Sequence, residues 1–271
     1  MSVEVVLTRV GYTRKQAWFA DRSSWSRSIT FPAMIALIKH PSLGTILFDA
    51  GYGRALEEAP SAAVYRWMLP FVLPDRERLP ARLKQMGAPR IDMVFLSHFH
   101  PDHIGGLREV PGHPPIFYSR VGLARLRSTR GLKLRRAAFF EALLPDDFAA
   151  RGRALEDLPL VAVEGLGEGY DVAGDRSLIA IALPGHAAGQ YGLLCGLADG
   201  GQILLCADAA WVRANFAEMK LPAWPVRFLV DDYPAFTLTM ARLHGFARAR
   251  PEVRIIPSHC EESIAAYGQQ D

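Results

Sequence analysis

The sequence has little cysteine, no long hydrophobic run and almost no excess charge. Its three cysteines, Cys195, Cys206 and Cys260, are too few for a disulfide framework and are typical of a reducing compartment. No apolar stretch approaches the ~20 residues that a membrane helix needs. The N-terminus also lacks the basic and apolar segments of a secretory signal. We therefore expect a cytoplasmic protein that neither spans nor binds a membrane.

The charge balance excludes few functions, but it argues against nucleic-acid binding. The formal net charge is only +3, with 26 arginines and 5 lysines among the bases, so nucleic acid is not an expected partner. Hydrophobic residues make up 50% of the 271 residues and charged residues 22%, which excludes a disordered chain. No Gly-, Ser- and Pro-rich linker divides the sequence, so we expect one domain over residues 1–271.

The hydrophobic pattern predicts sheets covered by helices, a mixed α/β (α+β) organisation. Short apolar runs bounded by turn residues predict strands, and longer amphipathic runs predict helices. Strands are expected at residues 31–39, 45–48, 92–96, 115–118, 178–183, 191–195, 203–206 and 253–256. Helices are expected at residues 75–86, 236–249 and, for the most part, 119–144.

Three histidines and one aspartate lie within six residues, directly after a predicted buried strand. The order His98-x-His100-x-Asp102-His103 is followed by Gly105-Gly106, which would allow close packing of the backbone. Imidazole and carboxylate groups are ordinary ligands of zinc. The alternative is a solvated, histidine-rich loop. A metal site is favoured because three similar residues, His186, Asp208 and His259, also follow predicted strands.

This motif, followed in order by His186, Asp208 and His259, resembles the metallo-β-lactamase superfamily of metallohydrolases. The resemblance extends from the Asp49-x-Gly51 loop to His259 and implies a four-layer αββα sandwich with metals at one edge of two sheets. It implies that one metal binds His98, His100 and His186, that a second binds Asp102, His103 and His259, and that Asp208 bridges both. Asp49 would support these ligands from behind.

The resemblance also implies a chemistry. The ligand set resembles that of the acyl-homoserine lactonases and the glyoxalase II-like thioesterases, which use two zinc ions; Mn²⁺ or Fe²⁺ are alternatives. A hydroxide shared by the two metals would attack a carbonyl carbon, and Asp102 would pass a proton to the leaving group, with Asp208 completing the catalytic pair. The expected substrate is a small lactone or related ester. A thioester is the first alternative and a phosphodiester the second, and a homodimer is left open.

Four further features have competing interpretations. Lactonases of this type commonly carry a tyrosine three residues after the bridging aspartate; Trp211 stands there, so we expect an indole wall in the substrate pocket. The apolar segment 67–74 could be core, a flap over the substrate or a dimer contact, and as a flap it would place Trp67 and Phe71 in the substrate pocket. Cys260 is not expected to be a ligand. Seven bases without an intervening acid favour a solvated helix face over a site for an anionic substrate: Arg120, Arg125, Arg127, Arg130, Lys133, Arg135 and Arg136.

Overall fold

The computed structural model describes residues 2–25, 27–129 and 138–267. Within them, thirteen strands form two sheets. The first sheet contains β1 (Glu4–Gln16), β2 (Ser28–His40), β3 (Gly44–Phe48), β4 (Phe71–Val72), β5 (Met93–Phe95), β6 (Ile116–Tyr118) and β7 (Gly152–Ala154). The second contains β8 (Leu160–Val163), β9 (Gly167–Asp171), β10 (Leu178–Ala182), β11 (Tyr191–Gly196), β12 (Gln202–Ala207) and β13 (Val253–Pro257).

The strand order is β4-β1-β2-β3-β5-β6-β7 in the first sheet and β13-β12-β11-β10-β9-β8 in the second. Strands β3, β5, β6 and β7 run parallel, as do β12 and β13, and the other neighbours are antiparallel. Strands β2 and β3 form a hairpin in which Ala36 pairs with Phe48 and His40 pairs with Gly44. The long strand β1 carries polar residues among apolar ones, which is why the apolar runs did not indicate it.

Helices cover the outer faces of both sheets. They are α1 (Arg54–Glu58), α2 (Ala63–Met68), α3 (Leu79–Gln85), α4 (Pro101–Ile104), α5 (Arg120–Ser128), α6 (Phe148–Arg151), α7 (Arg213–Ala217), α8 (Tyr233–Ala249) and α9 (Glu261–Tyr267). Short 3₁₀ turns lie at Ala17–Phe19, Pro60–Ala62, Asp75–Glu77, Leu107–Glu109, Glu141–Leu143, Leu155–Asp157 and Trp224–Phe228. None of the helices in the described ranges is both long and apolar enough to cross a membrane.

Two predicted helices differ from the structure. The helix expected over residues 75–86 is a 3₁₀ turn followed by α3, because Arg78 is extended and Pro80 near the start of α3 has no N–H to continue an earlier helix. The helix expected over residues 119–144 begins as α5 and ends at Ser128, and Glu141–Leu143 forms a 3₁₀ turn. The intervening residues 130–137 lie outside the described part of the chain.

The alternation of side chains along the strands explains the layers. On β2, Met34, Ala36 and Ile38 pack between the two sheets, whereas Ile35 and Leu37 pack against the outer helices. In the second sheet, side chains of β10 and β12 alternate likewise between the inner core and the cluster that contains Leu243 of α8. Because both faces of each sheet are covered, the strands are apolar at successive positions. This is the predicted four-layer αββα sandwich.

Candidate metal centre and cleft

The polar residues of the sequence motif follow five strands whose carboxyl ends lie at one edge of the two sheets. In the first sheet, Asp49 follows β3 and the His98–His103 segment follows β5, which is parallel to β3. In the second sheet, Asp208 and His259 follow the parallel strands β12 and β13. His186 follows β10, which runs in the same direction as β12 because both are antiparallel to β11. The topology therefore collects side chains that are far apart in sequence.

The backbone takes unusual conformations to reach this point. Asp49 and Ala207 have positive φ values of 57° and 49°, which non-glycine residues seldom adopt and which mark local strain. Gly185 has φ of 125°, and a Cβ atom there would lie 2.1 Å from the backbone nitrogen of Phe236. A Cβ on Gly106 would lie 2.3 Å from the carbonyl oxygen of Ala50. These turns are required for the close approach of the loops, as expected for Gly106.

Three imidazoles meet on one side of the site. The Nε2 atom of His98 lies 3.0 Å from Nδ1 of His100, which lies 2.8 Å from Nε2 of His186. Burial lowers the pKa of all three rings, to about 3 for His186 and well below the usual range for His98. Burial therefore favours the neutral rings, and three neutral imidazoles whose nitrogen atoms lie this close together can bind one cation.

A second group contains His103, Asp102 and His259. The Nε2 atom of His259 lies 3.5 Å from Oδ2 of Asp102, and Nε2 of His103 lies 3.9 Å from the same oxygen. Asp208 lies between the two groups: its oxygens are 3.2 Å from Nε2 of His186, 3.3 Å from Nε2 of His103 and 2.9 Å from Nε2 of His259. One carboxylate thus contacts ligand atoms of both groups.

The rings are held from behind by their other nitrogen atoms. Nδ1 of His103 donates to Oδ2 of Asp49 at 2.7 Å, and Nδ1 of His259 donates to the carbonyl oxygen of Pro32 at 2.7 Å. Asp49 also accepts hydrogen bonds from the backbone nitrogen and the hydroxyl of Ser97. These bonds place the proton on Nδ1 and direct Nε2 into the site, which is the arrangement of metal-binding histidines. Asp49 thus contacts the His103 ring on the side away from Nε2.

The electrostatics of the second group also fit a cation. Burial lowers the pKa of His103, but the charges of Asp208, Asp49 and Asp102 outweigh it and raise that pKa well above the usual range. Burial would raise the pKa of Asp208, yet His259, His103 and His186 hold it well below the usual range. Nε2 of His103 and Oδ1 of Asp208 are buried 3.3 Å apart, but neither atom has a partner with hydrogen-bond geometry within the described residues.

The residues therefore form a divalent metal site. The ligand atoms form three sets of three, and within each set they lie within 4.8 Å of one another. Together the sets contain all seven residues of the sequence pattern: His98, His100, Asp102, His103, His186, Asp208 and His259. Nitrogen and carboxylate donors of this kind suit zinc and its neighbours among the transition metals. Cys260 is buried but belongs to none of the sets found among the described residues.

A cleft of about 130 Å³, open to solvent, lies over the ligands. Its wall includes the metal-site residues His100, Asp102, His186, Asp208 and His259. The rest of the wall is mainly apolar or aromatic, and includes Phe19, Phe31, Tyr52, Tyr65, Leu69, Trp211 and Leu229. The Trp211 ring stands edge to face against His186, with ring centroids 5.7 Å apart. Trp211 thus lies in the wall of the cleft.

The other two aromatic residues expected in the pocket are not in its wall. Trp67 is 82% exposed, because the turn of α2 that carries it buries Tyr65 instead. Phe71 stacks on Tyr52, with ring centroids 4.4 Å apart, and so lies behind a residue that lines the cleft. The expectation for Trp67 and Phe71 as lining residues is wrong. Tyr52 and Tyr65 take their place, and only Tyr52, three residues after Asp49, stood close to a motif in the sequence.

The basic segment is paired where the structure describes it. Arg120 contacts Asp157, Arg127 contacts Glu141, and Arg125 forms two hydrogen bonds with Asp231. Arg130, Lys133, Arg135 and Arg136 lie outside the described residues. Arg120 and Arg127 are solvated, as predicted. Arg125 is different, because the loop that carries His186 is tied to Asp231.

The ligand set, the cleft and the two-sheet sandwich define a metal-dependent hydrolase. The family model for the metallo-beta-lactamase superfamily matches residues 30–259, and the chain belongs to that superfamily. The resemblance drawn from the histidine motif is thereby confirmed.

Curated relatives and solved structures show which members of the superfamily this chain is similar to. The N-acyl homoserine lactonase AttM of Azorhizobium caulinodans is 27% identical over 207 residues, which cover 71% of this chain and 70% of the relative. AttM of Rhizobium radiobacter is 28% identical over 209 residues with the same coverage. A solved quorum-quenching N-acyl homoserine lactone lactonase has a TM-score of 0.72 at 18% identity, covering 98% of this chain and 96% of that one. This last likeness concerns the fold alone.

Proposed function

We propose that the protein is a dinuclear zinc hydrolase that opens lactones. The observation that carries the proposal is the position of Asp208, whose carboxylate contacts His186 of one ligand group and both His103 and His259 of the other. Such a carboxylate is suited to hold two cations a few ångströms apart. The AttM relatives, which are named as lactonases, support a lactone rather than another carbonyl substrate.

The chain's residues would divide between two metals. His98, His100 and His186 would hold one ion, and Asp102, His103 and His259 would hold the other, with Asp208 on both. Zinc is proposed because the donors are imidazole nitrogens and carboxylate oxygens. Mn²⁺ and Fe²⁺ are the alternatives, and sites of this kind generally bind them more weakly than zinc. When bound, the metals supply Lewis acidity and a water of lowered pKa.

The protein groups around the ligands would complete the reaction. The Asp102 carboxylate lies in the cleft wall, where it can pass a proton to the oxygen that leaves the acyl carbon. Trp211, Phe31 and Leu229 give the cleft an apolar wall that can hold the acyl portion of the substrate and exclude water from it. The apolar wall fits a neutral small molecule better than a polyanion.

The proposal also includes the location, the domain organisation and the oligomeric state. Three free cysteines support a reducing, cytoplasmic location. A single domain over residues 1–271 is retained, and a homodimer remains the open alternative to a monomer.

A hydrolysis panel on metal-loaded protein tests the function. We expect N-acyl homoserine lactones to be turned over at least ~100-fold faster, in kcat/KM, than an acyl-CoA thioester or bis-4-nitrophenyl phosphate, a difference of ~2.7 kcal/mol in transition-state stabilisation. Elemental analysis should give two metals per chain. A preparation that reaches only one metal after reloading would contradict the dinuclear site. Preferred turnover of the thioester or the phosphodiester would contradict the lactone assignment.

A further inference from the structure

The wall of the cleft contains one charged side chain besides the metal-site residues. Within the described residues, Lys15 lines the cleft beside the uncharged Phe19 and Leu69. Asp102 and Asp208 also lie in the wall, but their carboxylates belong to the proposed metal centre. The ammonium group of Lys15 is therefore left for another role.

The pairing of β1 with β2 places Lys15 further along the wall than the metal ligands. The Phe31 ring lies against the His259 ring, with centroids 5.6 Å apart, and Phe31 pairs with Thr13 on β1. Thr13 and Lys15 both line the cleft, because residues two apart on a strand share one face. From Thr13, β1 continues away from Pro32, the residue whose carbonyl oxygen binds His259. Since each strand residue adds about 3.3 Å, the backbone of Lys15 lies roughly 7 Å beyond Thr13.

The Lys15 ammonium is half-buried and has no carboxylate partner within the described residues. Its Nζ atom lies 3.4 Å from the carbonyl oxygen of Met68 and 5.7 Å from the centre of the Phe19 ring. By contrast, Nζ of Lys220 lies 2.9 Å from a carboxylate oxygen of Glu218. An ammonium has three N–H donors, so the contact with Met68 leaves two of them for a molecule in the cleft. Burial also lowers the pKa of Lys15, because the charged form has lost part of its hydration.

We propose that Lys15 determines substrate specificity by binding a carboxylate at the end of the acyl group that is farthest from the lactone ring. The inference rests on the proposed lactone chemistry and names a substrate class within it: lactones whose acyl group ends in a negative charge. With the scissile carbonyl at the metal centre, the acyl chain would lie along Phe31, and its carboxylate would reach Nζ of Lys15. The single charge is separated from the apolar wall that holds the rest of the acyl group.

The physical reason for this preference is the charge balance of the cleft. A carboxylate that enters an apolar cleft loses hydration, and a charge-assisted hydrogen bond from an ammonium offsets that loss. The same bond compensates for the hydration that Lys15 has already lost in the folded protein. Because the tail is remote from the reacting carbon, this contact is equally strong in the bound substrate and in the transition state. Its loss should therefore raise KM and leave kcat little changed.

The test measures kcat and KM of metal-loaded protein on two matched pairs of homoserine lactones. One pair is the N-octanoyl lactone and its suberic acid analogue, which ends in a carboxylate; the other is the N-hexanoyl lactone and its adipic acid analogue. The wild type should turn over the carboxylate-ended member at least as well as the methyl-ended member in one pair or both. In Lys15→Met, which keeps the length of the side chain but not its charge, we expect the ratio of kcat/KM between the two members to fall ~10-fold or more through KM.

Lys220→Met is the matched control, because Lys220 is already paired with Glu218 and does not line the cleft. Its ratio of kcat/KM between the two members of each pair should stay within about twofold of the wild type. Added salt should lower the ratio of the wild type and leave that of Lys15→Met unchanged, since screening weakens a partly exposed charge pair.

The outcomes separate this inference from the function on which it rests. A wild type that prefers the methyl-ended lactone at both lengths would overturn the inference and leave the lactonase proposal intact. An unchanged ratio in Lys15→Met would do the same, as would equal losses on both members of each pair or an equal change in Lys220→Met. If the wild type hydrolyses a thioester but no lactone, the lactone proposal fails, and the same comparison is made on thioesters of the same acids. A wild type inactive on every carbonyl substrate would overturn both.

Discussion

The core between the sheets and the metal centre at their edge are both buried, but they treat polar groups in opposite ways. In the core, Phe48 and Phe95 stack with ring centroids 5.5 Å apart among aliphatic neighbours. At the edge, the same strands continue into loops that bury histidines and aspartates, including atoms without hydrogen-bond partners in the described residues. The core stabilises the fold. Burial of polar groups at the edge lowers that stability but forms the cation site.

This contrast predicts which substitutions should reduce stability and which should reduce activity. Core side chains are apolar and close-packed, so their loss acts on folding. Side chains at the edge are buried histidines and aspartates that interact mainly through their charges. Substituting them should therefore reduce metal binding. The four substitutions below test the division, from the largest expected effect to the smallest.

Asp208→Ala should have the largest effect on activity. The substitution removes the one carboxylate that contacts both ligand groups, so the protein should bind at most one metal and retain less than about one thousandth of kcat/KM. Metal analysis and lactone assays check this. Cys260→Ser is the matched control beside His259 and should keep both metals. An Asp208→Ala protein that binds two metals and is active would contradict the division between core and edge.

Phe95→Ala should have the largest effect on stability. The side chain is fully buried between the sheets, and its removal leaves a cavity, so we expect the free energy of unfolding to fall by about 3–5 kcal/mol. Urea denaturation measures this, and the folded fraction should still bind its full complement of metal. Leu238→Ala on the exposed face of α8 should change stability by less than about 0.5 kcal/mol. Reduced metal binding by folded Phe95→Ala protein would mean that core and edge are coupled.

Arg125→Glu should have an intermediate effect that the sequence did not indicate. Arg125 lies 2.6 Å from Asp231, whose Oδ2 accepts from the nitrogen of Ala188 and whose backbone nitrogen donates to the carbonyl oxygen of His186. A glutamate would repel Asp231 and shift the His186 loop, so we expect kcat/KM on a neutral lactone to fall about 10- to 100-fold.

Arg127→Glu is the matched control for Arg125→Glu, because Arg127 pairs with Glu141 on the surface of the same region. Its kcat/KM should stay within about twofold of the wild type, as exposed ion pairs contribute little. Equal effects of the two charge reversals would instead indicate a general contribution of the basic segment.

Trp211→Phe should have the smallest effect. The indole belongs to the cleft wall, but its N–H has no hydrogen-bond partner in the described residues, so phenylalanine loses shape rather than a bond. We expect a modest rise in KM and a kcat within about tenfold of the wild type, at most ~1.4 kcal/mol. A thousandfold loss of kcat with both metals bound would show that the indole N–H donates a hydrogen bond in the transition state.

Much of the site was predictable because its residues carry a local signal. His98, His100, Asp102 and His103 lie within six residues after a strand, and His186, Asp208 and His259 each follow a strand of their own. Tyr65 carried no such signal. It lies in the short helix α2, next to the exposed Trp67, and its sequence neighbours do not distinguish a cleft residue from a core residue.

The sequence by itself determined the ligand types, the alternation that buries both sheets, and the turns that end the strands, because these depend on neighbouring residues and on the chemistry of each side chain. Only the tertiary structure decided which aromatic residues face the cleft and that Arg125 supports the His186 loop. Those contacts join residues that are distant in the chain, such as Tyr52 with Tyr65 and Arg125 with Asp231. Their formation depends on how the loops pack at one sheet edge, which no local pattern specifies.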